Sequence, residues 1–554
     1  MLNMQKKMSN SFFALLSLPA TAMGFALSVQ ISALSWLLST KYGLDIHEIG
    51  IVWAAGPIAG IIAQPIVGAL SDKMWFMGGR RRPWIVIGGI LAGLMMLALP
   101  NLEIIQGIFI NSEDPQAGLL TIAVIVALTF DLSINVSFNP TRSIIADCTT
   151  MKDRSKGYTW MQTISGSFGV LAYLIGGVLG NLFLIYFGVG IALLATLIPA
   201  FLIEEPKTGE ITPITLLSAL KFLLKLFIAI ALLGILYYII KKFIFNICIF
   251  SICVNSMQLI LILAIISFII YQIVKIVKNW GKFQDLVSSL IPLSGFLLYG
   301  IYVIIEKLFG FHVTMGYEVF GYFLNIIEIL CIVLLVMSTI VVLFNLSKSN
   351  TKSNEFQRIL LAHSFTWIGV QTMFIYALFY LKEIILLEDK VAGSVNSIAF
   401  FILSLVSAIL PVLVLNKFAE KIGMVKTHLA CIFIMALGYA GVVLFGTSVI
   451  PYYVMLGIVG IGWASVVSLP FAIMSSKVDQ TKMGLYMGIF NLSVVLPQLV
   501  ASFKMGEVIS GSDDKSIIFV ICAITLFISG VLWFFVKEAK VSTTANAPKG
   551  GGGH

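Results

Sequence analysis

Apolar runs of about 20 residues recur along this chain from end to end, separated by short polar breaks. A helix needs roughly 20 mostly apolar residues to cross the hydrocarbon of a bilayer. The pattern therefore predicts an all-α polytopic membrane protein. An outer-membrane barrel is excluded, because its strands would be ~10 residues of alternating polarity. Six runs, at 12–39, 49–70, 84–100, 118–146, 158–180 and 183–203, precede the break "EEPKTGE". Six more lie at 357–381, 392–416, 427–446, 450–474, 483–503 and 515–536. Between the two sets, residues 212–347 hold four further runs, near 214–240, 243–274, 286–306 and 318–347. The expected organisation is a six-helix bundle at 1–205 and an inserted block of about four extra membrane helices at 206–350. A second six-helix bundle follows at 351–540, then a disordered tail at 541–554 whose "APKGGGGH" has the look of an artificial addition. Lys6 and Lys7 precede an apolar run too long for a signal-peptide core, so that run is expected to be the first span.

The inserted block is richer in Ile, Phe, Leu and Lys than its flanks, which are rich in Gly and Ala. Small residues favour close helix packing, so the block is expected to be looser or more lipid-facing. An alternative for its start is an interfacial amphipathic segment from Thr212 to Leu226.

Composition agrees with this pattern: 59% of the 554 residues are hydrophobic and 11% charged. The net charge of +9 does not point to nucleic acid, because the basic residues sit in short loops on alternate sides. Lys73, Arg80, Arg81 and Arg82 share one loop, and Lys152, Arg154 and Lys156 another. The loop between them carries Glu103, Glu113 and Asp114 and no Lys or Arg. The positive-inside rule then places the N-terminus and the basic loops in the cytoplasm, in a multi-pass protein of a cell membrane. Lys241 and Lys242 run against that rule. The six cysteines show no metal or redox spacing. No metal cluster, phosphate loop or nucleophile–base set is visible, so neither an enzyme nor a cofactor or metal is expected.

Two motifs carry candidate chemistry. "GALSDKMWFMGGRRRP" joins the second and third spans. Gly68 permits close helix approach, and Asp72 can accept from Arg80, Arg81 or Arg82 near helix ends. A conformational latch is the expected role. "DLSINVSFNPTRSIIAD" ends the fourth span. Asp131 lies ~20 Å along that helix from Gly118, near the bilayer midplane. A charge there costs about 2.5–3.5 kcal/mol. A carboxyl group in low dielectric can exist protonated or charged, which proton coupling requires. Asn135, one turn on, shares its stripe. Arg142 is ~16 Å farther along the axis, too far for a direct pair with Asp131. It is expected to pair with Asp147 or another acid, or to donate to a substrate hydroxyl.

These stretches resemble the glycoside–pentoside–hexuronide:cation symporter group of the major facilitator superfamily, most closely its plant sucrose transporter branch and the animal relatives of that branch. "GPIAGIIAQPIVGALSD" with "GGRRRP" is similar to the second span and loop of that family. "DLSINVSFNPTRSIIAD" is similar to its fourth span, and "GIGWASVVSLPFAIMSS" and "NLSVVLPQLVAS" to its tenth and eleventh. The resemblance covers both halves but not 212–347. It implies two six-helix halves around a midplane site and proton-coupled symport of a sugar, such as sucrose or maltose, by alternating access. It gives Asp131 the proton and a sugar hydroxyl, and makes Arg142 essential. The family's acids just past the tyrosine of span seven are replaced by Ala377 and Phe379, His47 is near its loop histidine, and Gln30 near its first-span glutamine.

Further substrate contacts are expected from Gln30, Gln371 and Asn491, whose amides can read hydroxyls, and from Trp463, whose face suits a pyranose. Trp53, Trp160 and Trp367 are weaker stacking candidates, since membrane tryptophans more often anchor at interfaces. His363 is expected to be a packing contact rather than a relay, and Glu328 a paired structural acid. The expected partners are a sugar, protons and lipid, with a monomer assumed. An uncoupled carrier, or a sensor that binds sugar without flux, are the alternatives.

Overall fold

The computed structural model describes residues 5, 7–61, 67, 71, 74–109, 115–149, 153–206, 212–213, 246–249, 252–255, 288–309, 313–319, 322–346, 351–410, 414–478 and 483–538. The first half contains α1 (Asn10–Thr40), α2 (Ile46–Ile61), α3 (Arg82–Phe109), α4 (Pro115–Cys148), α5 (Arg154–Leu179) and α6 (Asn181–Leu202). Local chemistry sets their ends. Asp45 and Glu48 close a reciprocal capping box at the start of α2. Gly180, at φ +91, both ends α5 and starts α6, a conformation that an L side chain would strain. The expected second span ran to residue 70, and most of its later part lies outside the described residues.

The inserted block contributes α7 (Ser294–Phe309) and α8 (Ile326–Leu343), an antiparallel pair. The second half follows as α9 (Thr351–Glu383), α10 (Asp389–Leu410), α11 (Met424–Phe445), α12 (Val449–Ser475), α13 (Met483–Val500, extended by the π turn Ala501–Met505 and by Gly506–Ser510) and α14 (Ile517–Trp533). Among the described residues, eleven helices are long and apolar enough to cross a membrane, and α2 and α14 are shorter apolar helices.

The block departs from four plain spans. The run 214–240 lies outside the described residues, as does most of 243–274. Where the latter begins, Asn246–Ile249 and Ile252–Asn255 pair antiparallel instead of coiling, which suits their β-branched Ile and Val. The last run was expected from 318, but Gly316–Val319 and Tyr322–Asn325 pair antiparallel and the helix starts at Ile326. Asn325 stops the ladder there, because its side chain caps the amides of Ile327 and Glu328. Pro292, in the turn Ile291–Leu293, delays the start of α7. The α7–α8 pair returns to α9: Gln357 donates to the carbonyl of Ser288, and Arg358 to that of Leu343. Leu330, Val333, Val336, Met337 and Ile340 of α8 are left exposed, as a lipid-facing helix requires.

Within the halves, α1 packs on α5 and α6, α3 on α4 and α6, α9 on α13 and α14, and α11 on α12 and α14. The halves meet through α5 against α10 and α2 against α13. The contact is tight: a Cβ on Gly50 would collide with the carbonyl oxygen of Ser502 and lie 2.5 Å from the Tyr376 hydroxyl. Cross-half hydrogen bonds gather at the Thr40 end of the bundle. The Trp36 indole donates to the Asp389 carbonyl at 2.8 Å, Lys382 to Ser39 at 3.0 Å and Ser35 to the Ile375 carbonyl at 2.8 Å. Ser397 donates to Asn181 at 2.9 Å and contacts Ser32.

At the opposite end, acids cap helices of their own half. The Glu205 carboxylate accepts from the backbone N–H groups of Arg80 (2.8 Å), Arg81 (2.9 Å) and Arg82 (2.6 Å) at the start of α3. Glu538 accepts from Met424 and Val425, both at 3.0 Å, at the start of α11. An anion there also meets the positive end of the helix dipole. Replacing Glu205 with Ala strands three amides, and the expected result is a loss of about 1–3 kcal/mol. A thermal midpoint in detergent several degrees below wild type checks this.

Candidate functional site

Four helices carry polar residues on one stripe each, and the stripes face one cavity of about 330 Å³ between the halves. From α1 come Leu27, Gln30 and Ile31; from α4, Asp131, Ile134, Asn135 and Phe138. From α9 come Trp367, Gln371 and Phe374; from α13, Asn491, Val494, Val495 and Gln498. Each set repeats at three or four residues, the spacing that puts side chains on one helix face. Trp53 and Gly56 of α2 and Trp463 of α12 complete the wall.

Asp131 is buried on the wall given by the first half. Its carboxylate accepts from the Gln30 amide, with Nε2 at 3.3 Å from Oδ1 and 3.1 Å from Oδ2. Gln30 is the first residue of the π turn in α1, a feature common at functional sites. Gly56 packs against the carboxyl, where a Cβ would lie 3.3 Å from Oδ2. Asn135 donates to the Asp131 backbone carbonyl at 2.8 Å. On the other wall, Gln498 donates to Gln371 at 3.0 Å. Trp367, Trp463 and Phe374 form an edge-to-face chain, with centroids 6.0 and 5.4 Å apart at 81° and 90°. The cavity thus offers an acid and amides on one side, and amides with an aromatic surface on the other. That combination can hold a molecule with a C–H face and hydroxyls at its edges.

Of the residues expected here, Gln30, Asp131, Asn135, Gln371, Trp463 and Asn491 share this cavity. Arg142 is not among its lining residues. It is exposed, and its guanidinium stacks 3.9 Å over the ring of Phe138, which does line the cavity. Eleven helical residues carry it ~16 Å along the axis from Asp131. The proposed pairing of Arg142 with Asp147 is replaced: the Asp147 carboxylate takes Arg80 at 2.7 Å and Arg81 at 3.1 Å. Arg81 also donates to Ser71 at 2.7 Å. Among the latch residues, Arg80, Arg81 and Arg82 therefore meet Asp147 and Glu205, while Gly68 and Asp72 lie outside the described residues. Gln498, Phe374 and Phe138 went unrecognised in the sequence. The signal for Gln498 was its position two turns beyond Asn491.

A larger cavity, about 550 Å³, lies between the α7–α8 pair, the end of α13 and His47. It holds none of the expected transport residues, and it does not join the central polar walls of the two halves. Beside it, buried Lys504 of the α13 π turn pairs with Glu328 at 3.1 Å and Glu507 at 3.0 Å. Glu328 is thus a paired acid that also completes the capping box of α8.

Fold and cavity describe a polytopic membrane protein of two helical halves around a central cavity. The chain belongs to the Major Facilitator Superfamily, whose profile matches residues 16–351; that of the MFS/sugar transport protein family matches residues 316–506. The chain is 28% identical over 173 residues to a general alpha-glucoside permease of Schizosaccharomyces pombe, covering 29% of this chain and 31% of that protein. It is 28% identical over 137 residues to the human membrane-associated transporter protein, covering 24% and 26%. A sucrose transport protein of Arabidopsis thaliana is 25% identical over 162 residues, covering 29% and 30%. The matched stretch is thus about a third or less of each relative. Among solved structures, a D-xylose-proton symporter aligns with a TM-score of 0.56 at 14% identity, over 96% of this chain and 98% of its own. The nucleoside transporter NupG aligns at 0.58 and 10% identity, over 95% and 100%. At such identities the likeness concerns the fold.

Proposed function

We propose that this chain is a secondary active transporter in a cell membrane, carrying a sugar together with a proton by alternating access. The substrate is a disaccharide such as sucrose or maltose, the class named by the alpha-glucoside and sucrose relatives. The two six-helix bundles act as the rocking halves, with the block 206–350 between them in sequence. The observation that carries the reading is Asp131: a buried carboxyl on the wall of a polar and aromatic cavity, held by a neutral amide and by no described cation.

The mechanism follows from that environment. An unpaired negative charge at this depth is costly, so a proton or a set of ligand hydroxyls must offset it. Protonated Asp131 becomes a hydrogen-bond donor, while Gln30 continues to bond its other oxygen. A sugar then bridges to Gln371, Gln498 and Asn491 across the cavity with its C–H face on Trp463. Neutral cargo and neutral acid together permit the halves to rock. With the basic loops cytoplasmic, the Thr40 end is outside, and its cross-half bonds describe a carrier closed outward. Release to the inside frees the sugar and then the proton.

The second reading, an uncoupled carrier, draws on Ala377 and Phe379, where the resembling family has acids. Uptake of a panel of labelled sugars into proteoliposomes, with and without a pH gradient, separates the two. The expected result is accumulation of an α-glucoside only with the gradient. Equal uptake under both conditions favours the uncoupled carrier, and binding without flux favours a sensor.

A further inference from the structure

His363 stands one turn before Trp367 on α9 and is buried. Its Nε2 accepts the indole N–H of Trp367 at 2.9 Å. Its ring stacks on Phe490 of α13, with centroids 4.8 Å apart and planes at 13°. The plane of the imidazole is therefore fixed, and so is its tautomer, since an acceptor Nε2 puts the proton on Nδ1. Nδ1 has no partner among the described residues. A charged imidazolium would aim an Nε2–H at the indole N–H and leave three buried donors unmet, where the neutral ring leaves only Nδ1–H. This geometry suits a neutral acceptor and opposes a proton relay.

Among the described residues, the Trp367 indole N–H has His363 as its hydrogen-bond partner. Its ring begins the edge-to-face chain through Trp463 to Phe374, and all three line the central cavity. We infer that His363 is a positioning residue: it aims the Trp367 indole and so sets the aromatic wall on which the cargo lies, and it carries no proton in the cycle. The role of the wall in holding sugar rests on the function proposed above, whereas the aiming of Trp367 does not.

Three replacements and one double variant test this. His363→Gln keeps a side-chain acceptor, and His363→Leu removes it at similar volume. The expected result is an apparent KM raised about 5- to 10-fold in His363→Leu, the scale of one lost hydrogen bond, with maximal rate changed less than about twofold. In His363→Gln, KM stays within about threefold of wild type and the pH profile of uptake is unchanged. Trp367→Phe removes the donor instead, and its combination with His363→Leu is expected to be no worse than the poorer single variant. An unchanged KM in His363→Leu, or additive losses in the pair, overturns the inference; so does a shifted pH profile in His363→Gln. Ultraviolet resonance Raman of the sugar-free protein reads the indole hydrogen bond directly. The bond is expected lost in His363→Leu and kept in His363→Gln, and its presence in both overturns the aiming role. Were wild type to bind no sugar, that spectrum would still decide the aiming of Trp367, and only the sugar reading would fall.

Discussion

Asp131→Asn is expected to abolish gradient-driven accumulation while leaving sugar exchange in place. The amide is nearly isosteric with the carboxyl and still accepts from Gln30, so the cavity keeps its shape. What it loses is the ability to bind and release a proton. For one proton per sugar, each unit of pH gradient is about 1.4 kcal/mol, which supports up to about tenfold accumulation. Wild type should approach that ratio, and Asp131→Asn should settle at equal concentrations inside and out. Counterflow of labelled against unlabelled sugar should persist within a few-fold, because a permanently neutral side chain no longer opposes rocking of the loaded carrier. Full pH-dependent accumulation by the variant would remove Asp131 from the coupling path.

Gly50→Val is expected to hold the Thr40 end open. Gly50 lies where α2 meets the π turn of α13, against a backbone oxygen and the Tyr376 hydroxyl. Tyr376 is itself fixed by donating to the carbonyls of Ser502 at 3.0 Å and Ala501 at 3.2 Å. A backbone atom cannot swing aside as a flexible side chain can, so the halves must part. Overpacking costs about 1–3 kcal/mol, and a bias of that size moves a two-state population about 5- to 150-fold. Net uptake should fall by about tenfold or more. A cysteine placed at Val494, inside the cavity, should become reactive to an impermeant thiol reagent supplied from the Thr40 side. Unchanged reactivity together with unchanged uptake would show that this contact does not limit closure.

Much of the site was legible because a membrane helix makes polar residues conspicuous. Asp131, Asn135, Gln30, Gln371 and Asn491 interrupt apolar runs, and burying such groups in lipid is costly enough that they must face something. Which of them share a cavity follows from the helix repeat, and the same repeat would have picked out Gln498, Phe374 and Phe138 from the residues already named. Arg142 was expected to pair with Asp147 or another acid, or to meet a substrate hydroxyl; Arg80 and Arg81 take Asp147 instead, and Arg142 lies over Phe138 outside the cavity lining. The inserted block was harder. An apolar run gives no period that separates a helix from paired strands, so the strand pairs Asn246–Ile249 with Ile252–Asn255 and Gly316–Val319 with Tyr322–Asn325 overlapped runs that were read as spans. The partner of Glu328 was also hidden, since Lys504 is 176 residues away and its pairing depends on how α8 docks against α13.

The central claim is that proton and sugar cross together through Asp131. Its most direct measurement is the pH inside proteoliposomes when sugar is added outside without a starting pH gradient. The account predicts sugar-dependent acidification of the lumen by wild type, in fixed ratio to sugar taken up, and none by Asp131→Asn. Sugar uptake by wild type with no accompanying proton movement would contradict it.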